Sequence, residues 1–164
     1  MNERAKAFYL GDFLPYRLSV VTNRISRAFA GRYASAFGLS IPEWRVMAVL
    51  GSFAPLTANQ VAELTAMDKT KVSRAVARLA RAGHLKRAAN PGDRRSSRLA
   101  LTAKGRGTHG RIVPLARMLE AELVAALAPG ERARLDAALD KLDAWASRAG
   151  SHFERRDACA GAEP

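Results

Sequence analysis

The sequence has little cysteine and few aromatic residues, and these shortages exclude several classes of protein. Only one cysteine, Cys159, occurs among the 164 residues, so an intrachain disulfide and a CxxC metal or redox motif are both excluded. Aromatic residues make up 7% of the chain, and no apolar run approaches the roughly 20 residues that a membrane-spanning helix needs. The first residues lack the apolar stretch of a secretory signal. We therefore expect a cytoplasmic protein with no membrane partner.

Motifs of common enzymes are also missing from the sequence. It contains neither a GxSxG nucleophile motif nor a GxxxxGKS/T phosphate loop. The three histidines, His84, His109 and His152, lie far apart and do not have the spacing of metal ligands. We predict no catalytic residues, no metal site and no cofactor, and we expect that the protein is not an enzyme. With 48% hydrophobic and 26% charged residues, the composition fits one ordinary globular domain.

Acidic residues are few relative to basic ones. The chain has 15 Asp and Glu against 27 Lys and Arg, which gives a formal net charge of +12. Residues 68–98 carry 10 basic and 2 acidic side chains, so +8 of this charge lies in one central segment. Such a concentration exceeds what solubility requires and predicts a patch that binds a polyanion.

The same central segment has the pattern of a helix-turn-helix followed by a hairpin. Thr57 and Gln60 stand at capping-box spacing and predict the start of a short helix. After a turn, Asp68 suits the N-cap of a second helix that ends near Gly83. Residues 84–89 and 96–101 then read as two short strands around an Asn-Pro-Gly-Asp turn.

Helices are predicted on both sides of this segment. Apolar residues recur at helical spacing over 12–37, and a capping-box pair at Ser40 and Glu43 begins a further helix. Thr102 suits the cap of a long helix, which Pro114 should kink or split. Pro129 suits the first turn of a last helix.

The helix after Asp68 has one apolar face and one basic face. Val72, Val76 and Leu79 share one side, and residues able to contact bases or phosphates in a major groove lie elsewhere on the helix. We predict that this helix binds DNA through Lys69, Thr70, Lys71, Ser73, Arg74 and Arg78. The alternative for an isolated helix is a solvated basic face, but the adjoining turn and hairpin favour DNA binding.

The hairpin adds three arginines to the predicted DNA-binding residues: Arg94, Arg95 and Arg98. An arginine at a loop tip can enter a minor groove. Asp93 could hold the side chain of Arg95 in one orientation by a charge-assisted bond. Taken alone, an ordinary charged turn would explain the same residues.

The central residues resemble the MarR family of bacterial winged-helix transcriptional regulators. The likeness is carried by the run 67–87, by the Asp93-x-Arg95 loop and by the Leu101-Thr102-x-x-Gly105 junction, and it extends over about residues 10–148. The resemblance implies a homodimer that places two winged helix-turn-helix modules on successive major grooves of a pseudo-palindromic operator. It also implies that Arg95 reaches the minor groove.

The predicted fold is mainly α-helical with a small antiparallel β-hairpin, a winged helix-turn-helix with N- and C-terminal dimerisation helices. Independently of the resemblance, the apolar stripes over 112–127 and 135–145 favour a dimer, although a helical hairpin within one chain is the alternative. The predicted parts are an N-terminal helix of the dimerisation region (1–38), the DNA-binding module (39–101), C-terminal dimerisation helices (102–149) and a disordered tail (150–164).

Many relatives of this kind respond to small aromatic acids or phenols, bound between the dimerisation helices and the DNA-binding module. The resemblance therefore implies a small-molecule effector, for which Arg17 could bind a carboxylate and Tyr16, Trp44 and Met47 a ring, with Arg45 beside them. The alternative is that Trp44 belongs to the core and that the arginines are exposed or ion-paired.

We predict a sequence-specific regulator of transcription that binds double-stranded DNA, a repressor released by a small aromatic or acidic ligand. The alternative is an architectural protein that binds DNA without sequence preference. Thr70, Ser73 and Arg74 on the groove-facing helix favour the reading of bases.

Overall fold

The structure is a computed structural model that describes residues 8–93 and 95–160, with side chains described up to residue 149. A 3₁₀ turn at Leu10–Asp12 precedes the main elements. In chain order these are α1 (Leu14–Phe37), α2 (Ile41–Phe53), β1 (Leu56–Thr57), α3 (Ala58–Thr65), α4 (Lys69–Arg81), β2 (Leu85–Ala89), β3 (Ser97–Leu101), α5 (Ala103–Val124) and α6 (Glu131–Ala160). The predicted mainly helical fold with an antiparallel hairpin is confirmed. The chain divides into two compact units, one up to residue 116 and one from residue 117.

The helices of the first unit begin and end at the predicted signals. The N–H of Ser40 donates to the Glu43 carboxylate at 2.7 Å, which forms the capping box of α2. The Thr57 and Gln60 pair does the same for α3. Gly38 ends α1 with a φ of 66°, a left-handed conformation that suits glycine.

The sheet has one strand more than the sequence predicts. The two long strands pair as an antiparallel hairpin, with Leu85 opposite Leu101. The additional strand β1 pairs with β3, with Leu56 opposite Leu99, so the order is β1-β3-β2. β1 is two residues long and therefore leaves no alternating pattern in the sequence.

The core of the first unit lies between the three central helices, the sheet and the start of α5. The largest fully buried side chains are Val46, Met47, Val61, Val72, Val76, Leu79, Leu99 and Ile112. Burial of each such side chain stabilises the fold by about 1.5–3 kcal/mol. The spacing of Leu64, three residues after the buried Val61, predicts an inward position, but Leu64 is 53% exposed.

Pro114 does not split the fifth helix, because α5 is continuous from Ala103 to Val124. Proline removes one helical hydrogen bond and costs about 3 kcal/mol or more in a helix interior. Ile112 and Leu119, on either side of the proline, are 0% and 3% exposed. Their burial offsets that cost, so the helix persists.

The second unit contains the end of α5 and the whole of α6. The Arg132 guanidinium lies 3.0 Å from Glu120 and 2.7 Å from Asp136, and it joins the two helices. α6 begins at Glu131 rather than at Pro129, after Gly130 with a φ of 80°. It continues to Ala160, past the predicted boundary at residue 149. A single Gly150 costs only about 1 kcal/mol in a helix and does not end it. Residues 161–164 of the predicted tail lie outside the described residues.

Candidate nucleic-acid interface

α4 buries one face in the core and exposes the other. Val72, Val76 and Leu79 are at most 2% exposed and pack against the core. The predicted DNA-binding residues of this helix are all exposed: Lys69, Thr70, Lys71, Ser73, Arg74 and Arg78. The separation of faces expected from the sequence is therefore present, and the exposed surface offers both cations and hydroxyl groups.

Asp68 holds the start of α4. Its Oδ1 accepts a hydrogen bond from the backbone N–H of Lys71 at 2.8 Å, and its Oδ2 lies 3.1 Å from the Lys71 ammonium group. These interactions keep the pKa of the Asp68 carboxyl below its ordinary value, the backbone bond being the largest cause. The first turn of α4 is thus ordered at its N-terminus, which is the end from which side chains of such helices reach base edges.

The turn before α4, residues 66–68, joins the two helices of the motif. Ala66 has a φ of 50°, a left-handed conformation that is uncommon outside glycine. Its N–H bonds to the carbonyl groups at the end of α3, so the turn is closed by the backbone itself. α3 and α4 pack on each other, and Val61 of α3 and Val72 of α4 are both buried.

The loop between β2 and β3, which we call the wing loop (residues 90–96), is ordered by its own hydrogen bonds. Asp93 Oδ1 accepts from the backbone N–H of Arg95 at 2.9 Å. The sequence-based expectation that Asp93 holds the Arg95 side chain is therefore corrected, because its carboxylate bonds to the backbone of that residue. Arg95 is exposed, and Arg94 lies outside the described residues.

Arg98 lies on β3, two residues after the end of the wing loop, and is also exposed. Its Nε donates to Oδ1 of Asn90 at 3.3 Å. Sequence reasoning did not single out Asn90. Its position before Pro91 and Gly92 marks a turn but does not indicate which side chain it bonds.

A junction ties the C-terminal end of α4 to the start of α5. The Thr102 hydroxyl donates to the carbonyl of Gly83 at 2.7 Å, and the Lys104 ammonium group donates to that of Ala82 at 2.7 Å. His84, within this junction, has an Nδ1 that is buried without a partner among the described residues. Burial, and secondarily Lys104, lowers the pKa of His84. The hairpin and the basic helix are therefore held in a defined arrangement.

The residues predicted to bind an effector are only partly brought together. A cleft of about 260 Å³ lies between α1 and α2, and Trp44 and Arg45 line it. The other lining residues are Thr22, Ile25, Ser26, Phe29, Tyr33 and Ile41. Met47 is fully buried, belongs to the core and does not line this cleft. Tyr16 and Arg17 are exposed near the start of α1 and do not line this cleft, because Thr22 is the first residue of α1 to do so.

Aromatic rings form one wall of this cleft. The ring of Trp44 lies 5.4 Å from that of Tyr33 and 6.1 Å from that of His109, both in stacked orientation. Burial raises the pKa of the Tyr33 hydroxyl above its ordinary value. A terminal nitrogen of Arg45 donates to the Ser26 hydroxyl at 3.5 Å. The cleft thus combines stacked rings with one cation.

The described residues offer neither a metal-binding cluster nor a membrane-spanning helix. Among residues 8–93 and 95–149, whose side chains the structure describes, no group of His, Cys, Asp and Glu is arranged to hold a metal ion. In that same part of the chain, none of the helices has the length and apolar character needed to cross a membrane.

Comparisons with known proteins agree on one family. A sequence model of the MarR family matches residues 37–96. A MarR family transcriptional regulator from Silicibacter pomeroyi is similar in structure, with 30% identity and a TM-score of 0.70, over 82% of this chain and 96% of that one. A probable transcriptional regulator from Pseudomonas aeruginosa has 29% identity and a TM-score of 0.70, over 82% and 99%.

The fold is also shared by BpsR from Bordetella bronchiseptica, whose DNA binding is regulated by 6-hydroxynicotinic acid. Its TM-score is 0.75 at 22% identity, over 84% of this chain and 98% of that one. A comparison with curated proteins found no match. The family match, the 30% identity to a regulator covered almost entirely, and the winged helix-turn-helix together establish that the chain belongs to the MarR family of transcriptional regulators.

Proposed function

We propose that the protein is a homodimeric repressor that binds a pseudo-palindromic operator and is released from it by a small aromatic or acidic ligand. The observation that carries the DNA-binding part is the exposed face of α4, where cations and hydroxyl groups lie opposite a fully buried apolar face. A major groove admits one helix, and arginine, serine and threonine are side chains that contact base edges or phosphates there.

Sequence-specific binding is favoured over general DNA binding by the uncharged part of that face. Thr70 and Ser73 are exposed on the same helix as Arg74, whereas a protein that contacts only the phosphate backbone needs cations alone. Arg95, Arg98 and Arg94 of the wing would add contacts in the adjacent minor groove and to phosphates. We assign Thr70, Ser73 and Arg74 to base reading, and Lys69, Lys71 and Arg78 to the phosphate backbone.

The DNA-binding proposal is tested with the duplex that precedes the protein's own coding sequence and with a shuffled duplex of equal length. We expect the first to bind at least about a thousandfold more tightly at physiological salt. A ratio near one would favour the architectural alternative instead. Gel shift and fluorescence anisotropy at several salt concentrations measure both affinities.

A homodimer is supported by apolar side chains that one chain leaves exposed. On α6, Leu135, Leu139 and Trp145 are 44%, 43% and 62% exposed, at helical spacing. Near the other end of the chain, Phe8 and Tyr9 are 76% and 70% exposed. Exposed apolar surface of this extent is typical of interfaces between subunits.

The effector part of the proposal rests on the cleft between α1 and α2. Its stacked rings suit an aromatic ligand, and Arg45 suits the carboxylate of that ligand. BpsR, a protein of the same fold, responds to an aromatic acid of this kind. Ligand binding would release the DNA only if the ligand prefers the conformation that does not fit the operator.

Intrinsic fluorescence tests the effector site, because the chain has two tryptophans. In a Trp145→Phe background the signal comes from Trp44 alone, and 6-hydroxynicotinic acid or salicylate should change it. Arg45→Ala should weaken that binding, whereas Arg24→Ala, an exposed residue of α1 that does not line the cleft, should not. Equal binding by both variants would refute the role of Arg45.

A further inference from the structure

Asn90 is the centre of the hydrogen bonds at the base of the wing loop. Its side-chain nitrogen donates to the Ser96 hydroxyl at 2.8 Å, which joins the two arms of the loop. Its Oδ1 accepts from the backbone N–H of Gly92 at 3.3 Å and from Nε of Arg98 at 3.3 Å. One half-buried side chain thus holds both the loop and an arginine of β3.

The Arg98 side chain that Asn90 bonds lies on the exposed face of the sheet. Leu99 and Leu101 of β3 are buried, so Arg98 points to the opposite side, because successive side chains of a strand alternate. Its Nε–H is one of the five donors of a guanidinium group. Within the described residues, the Arg98 side chain makes no other hydrogen bond, so its terminal nitrogens are left for another acceptor.

We propose that Asn90 is a positioning residue for DNA binding. By holding Nε of Arg98, it orients the guanidinium so that the terminal nitrogens donate to an oxygen of a backbone phosphate. This inference rests on the proposed function, since it concerns how the wing meets the duplex. Its physical basis is that a side chain ordered before binding loses less conformational entropy when the complex forms.

The arrangement separates two tasks within the wing. Asp93 orders the backbone at Arg95, near the tip of the loop, whereas Asn90 orders the side chain of Arg98 at its base. Loss of Asn90 should therefore act on DNA binding through Arg98, while the fold of the module stays intact, because the wing loop is mostly exposed.

A double-mutant cycle on a short fluorescein-labelled duplex, read by anisotropy, tests this coupling. We expect Asn90→Ala to weaken binding by about threefold to tenfold, from the cost of immobilising a free arginine. Arg98→Ala should weaken binding at least as much, and the double variant should bind no more weakly than Arg98→Ala. Purely additive losses would overturn the proposal.

Ser96→Ala is the matched control, because it removes the bond of the Asn90 side-chain nitrogen, together with the bond from the Ser96 hydroxyl to the Asp93 carbonyl, and leaves the bond to Arg98. Its effect on binding should be small and additive with that of Arg98→Ala. If Ser96→Ala instead reproduces Asn90→Ala, including the coupling to Arg98, the asparagine only shapes the loop and the proposal is wrong.

A measurement without DNA keeps this inference separate from the proposed function. The Nε–H of Arg98, observed by ¹⁵N NMR, should exchange slowly with water in the native protein and in Ser96→Ala, and quickly in Asn90→Ala. Equal exchange in the native protein and Asn90→Ala would refute the positioning role. Failure of the native protein to bind any duplex would refute the proposed function, and the exchange rates would still decide whether Asn90 holds Arg98.

Discussion

Gly105, in the first turn of α5, is a position where a single methyl group should disturb the DNA-binding module. A Cβ atom there would overlap the carbonyl oxygen of His84 and lie 3.0 Å from its carbonyl carbon. These are backbone atoms, so they cannot rotate away as the end of a side chain could. At Gly107, two residues further along the same helix, nothing lies within 4 Å of the added atom.

The two glycines therefore allow the steric cost to be isolated. Alanine is favoured over glycine in a helix by about 1 kcal/mol, so Gly107→Ala should raise the free energy of unfolding by about 0.5–1 kcal/mol. Gly105→Ala has the same helical gain, but it must displace the backbone of His84, and overpacking of this kind costs about 1–3 kcal/mol. The difference between the variants should equal that cost.

Urea unfolding followed by circular dichroism measures this difference. All samples need the same protein concentration, because the apparent stability of a dimer depends on it. Gly105→Ala should also weaken DNA binding, since His84 lies between α4 and β2. If Gly105→Ala proves as stable as Gly107→Ala, the close approach of Gly105 to the His84 carbonyl group is refuted.

Three further predictions concern the cap of α4, the dimer and the wing. Asp68→Asn should lose stability relative to the native protein near pH 7, and the difference should vanish as the pH falls below about 4, the ordinary pKa of an aspartate, and through the lowered pKa of the folded state. Leu139→Glu should convert the proposed dimer into a species of 17.7 kDa in sedimentation, because a charge would be buried at the proposed interface. Arg95→Ala should weaken binding to the operator by about 1–3 kcal/mol and leave the melting temperature unchanged.

Each of these has a result that would contradict it. A difference between Asp68→Asn and the native protein that persists unchanged at pH 2 would show that the charge of the cap is irrelevant. Ala144→Glu, at an exposed position on the opposite face of α6, should stay dimeric, and dissociation of both variants would deny a defined interface. Dissociation of the proposed dimer in Arg95→Ala would contradict a role of Arg95 confined to DNA binding.

Local signals in the sequence predicted most of the first unit. Ser40, Thr57 and Asp68 have side-chain oxygens that cap a helix through residues three positions away, so their effect depends on short sequence spacing. The two faces of α4 likewise follow from the period of the helix, which the spacing of Val72 and Val76 already contains.

Contacts between residues far apart in the chain could not be predicted from short sequence spacing. β1 exists because Leu56 meets Leu99, more than forty residues along the chain, and two residues have no period of their own. The wing has a different limit. Asp93 stands only two residues before Arg95, but an aspartate at that spacing can bond either the side chain or the backbone of the arginine, and here it bonds the backbone.

The cleft between α1 and α2 brings together only some of the residues predicted to bind an effector. Trp44 and Arg45 line it, whereas Met47 is in the core, and Tyr16 and Arg17 lie beyond the cleft. The sequence alone determined the helices, their caps and the basic face of α4, because these depend on neighbours within a few residues. Only the tertiary structure decided which side chains share the cleft, because this depends on how separate elements pack. It also decided which atoms Asp93 and Asn90 bond, because this depends on the conformation of the wing loop.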